Sequence, residues 1–143
     1  MACGAGGRGA AVGRRGYGAG VAEALAPPGW PRGLAPPGAP SWEQAAVSWL
    51  LDQCPPDYRA HEVLRRHPVV LARFAAHHVD ASLAGARSAY ASARRELGDQ
   101  VAPEVVDAAL RALEAEGARL ARAAREVALV EEALQGHRWK QKL

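Results

Sequence analysis

The chain predicts an all-α fold. A disordered N-terminal tail is followed by a small helical domain, dominated by a long, Ala-rich, antiparallel helical hairpin of coiled-coil type. Three observations lead there. Hydrophobic residues make up 49% of the chain and aromatics only 6%, so the apolar content is mostly Ala, Val and Leu. Ala has the highest intrinsic helix propensity of any residue. Eleven of the 15 glycines and six of the ten prolines fall in residues 1–40. Beyond Pro68, apolar positions recur at spacings of three and four, interrupted once by "GDQVA". A length of 143 residues suits one domain.

Residues 1–40, rich in Gly and Pro, offer too little apolar surface to offset the entropy of ordering them, and are expected to be disordered. They also carry the net charge. Arg8, Arg14, Arg15 and Arg32 stand against Glu23, while the remaining residues hold 14 basic and 14 acidic side chains. Gly4, Gly6 and Gly9 have the spacing of a dinucleotide-binding loop, but such a loop needs a strand before it, and only three residues precede Gly4. The Arg14–Arg15 pair lacks the apolar stretch that an export signal requires. Met1 is the only methionine, and Val21 is an alternative point of initiation.

The folded domain is expected over residues 41–136. "SWEQ" at 41–44 reads as a capping box, with the Ser41 hydroxyl capping a helix over 42–53 and Gln44 reaching back. Trp42, Ala46, Trp49 and Leu50 would share its buried face. Pro55 and Pro56 end it. A short helix over 57–66 follows, carrying Tyr58, Val63 and Leu64, with Asp57 as its cap. Pro68 then opens a helix over 68–97. Its expected stripe comprises Leu71, Phe74, Ala75, His78, Ser82 and Gly85, continuing through Ala86, Ala89, Ala93 and Leu97. Pro103 opens the last helix, over 103–135, which Gly136 terminates. There the stripe runs Val106, Leu110, Leu113, Gly117, Leu120, then Ala124, Val127, Glu131 and Leu134, in heptad spacing.

Two helices of about 45 Å each, joined by a five-residue turn, form an antiparallel hairpin. Facing residues should have numbers summing to about 200. Gly85 and Gly117 would then allow close approach, which is one reason to accept the cost of about 1 kcal/mol for a mid-helix glycine. Glu131 interrupts the stripe near the open end, within reach of Arg65, Arg66 or the first helix. Glu62–Arg66 and Asp107–Arg111 are favourable i,i+4 pairs.

The stretch "CPPDYRAHEVLRRHPVVLARFAAHH", residues 54–78, holds one of two cysteines and four of five histidines. It lacks C-x-x-C, H-x₃-H and H-E-x-x-H spacings, and adjacent His77 and His78 diverge by about 100° on a helix, so no metal is expected. Cys54, His61 and His67 remain candidates for a Cys–His nucleophilic site; no cofactor is implied. His78 lies within the apolar stripe and Ser82, one turn on, can satisfy it. The pair would fix hairpin register, with pH sensing as the sharper alternative.

Cys3 and Cys54 do not make a disulfide framework, which favours a reducing, cytoplasmic location. No run approaches the roughly 20 apolar residues of a membrane span. The leading functional expectation is a non-catalytic interaction or scaffold module using the hairpin, with a protein partner or a second copy; Trp42, Trp49 and Trp139 are candidate contact residues. The alternative is weak binding of nucleic acid or an anionic surface through the basic ends. The segment 137–143, where Trp139 sits among Arg138, Lys140 and Lys142, would contribute to it. The third reading is an enzyme or metal protein built on Cys54, His61 and His67.

Overall fold

The computed structural model describes residues 26–137. The described residues form an all-helical domain in the order α1 (Trp42–Asp52), a 3₁₀ turn (Pro56–Ala60), α2 (Glu62–Arg66), α3 (Pro68–Leu97) and α4 (Pro103–Leu134). Pro68 and Pro103 occupy the first positions of α3 and α4, where the missing N–H costs nothing and φ is already helical. Helices α3 and α4 pack along their length as an antiparallel hairpin. The register is marked by two cross-helix ion pairs, Arg73–Glu131 at 3.4 Å and Arg94–Asp107 at 2.9 Å, whose numbers sum to 204 and 201.

The core is concentrated at the open end of the hairpin. Leu50 and Ala46 of α1, Leu64 of α2, Leu71, Ala75 and Val79 of α3, and Val127 and Val130 of α4 form one buried cluster. Toward the turn, the only buried cluster among the described residues is Ala93, Val106 and Leu110. The reason is geometric: α1 covers the open end, and nothing among the described residues covers the remainder of the arm.

The tail is not without structure up to residue 40. Residues 1–25 lie outside the described residues, but 27–40 fold back onto the domain through a series of turns. Leu34 enters the main core, Trp30 packs against Trp42 with ring centroids 6.4 Å apart, and the Trp30 indole N–H donates to the Leu34 carbonyl at 3.1 Å. The capping box does not form. Ser41 sits in the left-handed region at φ 59° and makes no side-chain cap hydrogen bond. A capping residue needs extended backbone to aim its oxygen at the helix N–H groups. Here the turn that brings residues 27–40 onto the domain, closed by Trp42 N–H to the Ala39 carbonyl, sets the backbone instead.

The segment expected as one helix over 57–66 is split at His61, which is extended at φ −93°, ψ 103°. Pro55 rather than Asp57 precedes the 3₁₀ turn. The stripe of α3 is rotated relative to its prediction. Ala72 and Val79 are buried, whereas Phe74 is 48% exposed and Gly85, Ala89 and Leu97 face solvent. Since α1 and α4 both pack on the first half of α3, its buried face is wider there and turned toward α1.

A Cβ added to Gly85 or Gly117 would meet no atom within 4 Å, so neither glycine serves close helix approach. Glu131 pairs with Arg73 rather than with Arg65, Arg66 or α1, and the 3.4 Å contact lacks hydrogen-bond alignment. Asp107 bonds across the hairpin to Arg94 instead of along α4 to Arg111, while the Glu62–Arg66 pair forms at 2.8 Å.

Candidate functional site

Cys54 lies just past α1, with its N–H on the Leu51 carbonyl and its side chain in the main core. It is a free thiol. Burial disfavours the thiolate and pushes its pKa up to about 11 from 9.0, opposite to what a nucleophile needs. His61 and His67 are exposed, one at the break before α2 and the other capping α3. Cys54 points inward and the two histidines outward, so the structure does not assemble them. Among the described residues, no group of three or more His, Cys, Asp or Glu side chains is placed to hold a metal ion.

His78 is half-buried, and its ring lies 6.5 Å from that of Tyr58 in a tilted arrangement. Ser82 does not satisfy the imidazole as expected. Its hydroxyl donates to the His78 backbone carbonyl at 2.8 Å, the short-range bond that helical serines readily make to the preceding turn. The expected register device is therefore absent from this pair, and the buried packing of Leu71, Ala75 and Val79 with Val127 and Val130 joins the two helices instead.

The segment 27–40 brings Trp30 onto Trp42. Trp30 stands between Trp42 on one side and an open cleft on the other. The cleft, of about 1030 Å³, lies between the segment Pro28–Arg32, the C-terminal half of α1 and the second half of α4. Trp30 and Trp49 contribute aromatic surface to it, while Arg32, Arg119, Arg122 and Arg125 supply cations. Glu126 is the acidic residue of its lining. Arg119 is engaged by Glu116 through two hydrogen bonds of 2.9 and 2.6 Å, which hold the Glu116 carboxyl below its ordinary pKa. Arg32, Arg122 and Arg125 have no carboxylate within ion-pair distance among the described residues.

Trp42 and Trp49 are thus both half-buried in one neighbourhood. Trp139, Arg138, Lys140 and Lys142 lie outside the described residues, as do Arg8, Arg14 and Arg15. The residues missed from sequence were Trp30 and Leu34, hidden by their Pro/Gly-rich surroundings, and the cleft arginines of α4. The latter had a visible signal, arginines at positions 119, 122 and 125, each three residues from the next.

A second feature is the arm of the hairpin beyond the main core. Tyr90, Leu97, Val101 and Val105 are 39–53% exposed there. Among the described residues, no helix is long and apolar enough to cross a membrane. Compared with known protein families, curated proteins and solved structures, the chain matches none.

Proposed function

We propose that the protein is a non-catalytic helical interaction module whose hairpin arm packs on the arm of a second copy, antiparallel to it. The observation that carries this reading is the arm's thin core: Ala93, Val106 and Leu110 are buried, while Tyr90, Leu97, Val101 and Val105 stay exposed. A two-helix arm has one internal seam, and a second pair of helices gives it a bundle core.

Charge favours a second copy as the occupant. The tip, residues 94–107, carries Arg94 and Arg95 against Glu96, Asp99, Glu104 and Asp107, a net of −2. The flanking stretches 83–93 and 108–119 carry Arg87, Arg111 and Arg119 against Glu114 and Glu116, a net of +1. An antiparallel two-fold sets each negative tip over the positive base of its partner, and the same contact occurs twice. The arm is about 20 Å long and two helices wide, so the pair would bury less than about 1,200 Å², the range of weak, concentration-dependent assemblies. We place this role in a reducing compartment, as expected for a chain with only two cysteines.

Sedimentation equilibrium tests the proposal. A dimer should form at high protein concentration and dissociate on dilution or with added salt. Asp99→Lys with Glu104→Lys makes the tip positive and should abolish dimerisation, and adding Arg87→Glu with Arg111→Glu should restore it. A monomer at every concentration, or a dimer indifferent to these reversals, refutes it.

A further inference from the structure

The cleft beneath Trp30 is remote from the tip of the arm, and its chemistry is different. Its lining carries four arginines against Glu126, a net of +3. Three of those guanidinium groups have no acidic partner among the described residues. The cleft therefore presents a cationic wall to which an anion can bind.

The number and spread of the cations select the kind of anion. Arg119, Arg122 and Arg125 span about 9 Å along α4, and Arg32 approaches from the facing segment. A single carboxylate would leave two guanidinium groups unneutralised, whereas a di- or triphosphate engages them together. Planar guanidinium groups pair with phosphate oxygens through two parallel N–H donors.

The opposite wall is aromatic. The Trp30 indole N–H is spent on the Leu34 carbonyl, so Trp30 offers the cleft ring carbons. Trp49 also lines the cleft, and its indole N–H has no partner among the described residues. A flat ring stacks on such a surface with the stability of base–aromatic contacts. The cleft is open to solvent, and its volume of about 1030 Å³, just above the usual range for small-molecule sites, leaves room for a nucleoside and its phosphates.

We infer that the cleft between Pro28–Arg32 and α4 binds a nucleoside di- or triphosphate, with its phosphates on Arg32, Arg122 and Arg125 and its ring against Trp30 and Trp49. The geometry supports binding and assigns no chemical step to the bound molecule.

The test is a calorimetric titration of the full chain with ADP, ATP and inorganic tripolyphosphate at moderate salt, with tryptophan fluorescence recorded in parallel. ADP and ATP should bind saturably and change the fluorescence. Arg32→Ser and Arg125→Ser should each weaken binding about tenfold or more. Both residues are exposed and outside the stretches whose charges govern the arm, so folding and dimerisation should persist, checked by circular dichroism and sedimentation. Trp49→Leu should weaken ADP binding more than tripolyphosphate binding. No saturable signal with millimolar ADP or ATP overturns the inference. So does binding that survives both arginine substitutions. Equal loss of ADP and tripolyphosphate in Trp49→Leu overturns the ring-stacking assignment. A short single-stranded oligonucleotide that binds where ADP does not would replace the small ligand with nucleic acid.

Discussion

Truncating Leu34 tests the most consequential feature of the fold, the docking of residues 27–40. Leu34 is only 8% exposed and belongs to the main core. A fully enclosed Leu→Ala change costs about 2–5 kcal/mol, the spread reflecting how far the site can collapse. Leu34 sits on a turn-rich segment at the edge of the core, which can relax toward the cavity, so the lower end applies and about 2 kcal/mol is expected. For a domain of this size, that lowers Tm by about 8 °C. Arg32→Ala, an exposed change in the same segment, is the control and should stay within about 0.5 kcal/mol. Urea and thermal unfolding followed by circular dichroism give both numbers. If Leu34→Ala leaves Tm unchanged, the segment contributes no stability and its docking is refuted.

Three further outcomes follow from local geometry. Ser41 holds a left-handed backbone with no cap hydrogen bond, so Ser41→Gly should stabilise by up to about 1 kcal/mol and Ser41→Ala should be nearly neutral; a working cap would give a loss of about 1 kcal/mol with Ala. Gly85→Ala and Gly117→Ala place a methyl group in open space within helices and should each stabilise by about 0.5–1 kcal/mol in chemical denaturation; destabilisation would mean that the helices approach more closely there than the structure shows. Cys54 should alkylate slowly. With its pKa near 11 rather than 9.0, the native thiolate fraction at pH 8 is about 100-fold below that of the unfolded chain, which iodoacetamide labelling with and without urea measures. The folded pKa is the higher one, so this group's stabilising contribution is complete below pH 9 and is lost as pH rises from 9 toward 11. Equal labelling rates in the two states at pH 8 would contradict the burial.

The fold class and the two long helices were legible because their signals are local and repeated. Pro68 and Pro103 mark helix starts by chemistry that needs no tertiary context, and "GDQVA" is the only stretch between them that cannot continue a helix. The rotation of α3 was less legible because Ala dominates it. Alanine on either face looks alike, so a few residues such as Phe74 and Val79 decide the direction, and the covering α1 tips the choice toward Val79. The docked segment was lost in averaging. Its composition is that of a disordered tail, yet Trp30 and Leu34 suffice to anchor it once α1 and α4 offer a surface. The cleft was illegible for a related reason: its two walls come from residues about ninety positions apart in the chain, and neither Arg32 nor the α4 arginines announces the other.

The uneven core gives the hairpin a gradient of motion. Backbone amides of α3 and α4 beside Leu71, Val79, Val127 and Val130 can exchange with solvent only when the whole domain opens. Those flanking the turn, around Leu97 and Val101, are held by Ala93, Val106, Leu110 and the Arg94–Asp107 pair, and can open locally. One continuous pair of helices thus contains two opening units, and deuterium uptake along α3 should change rate near Leu83, where the main core ends.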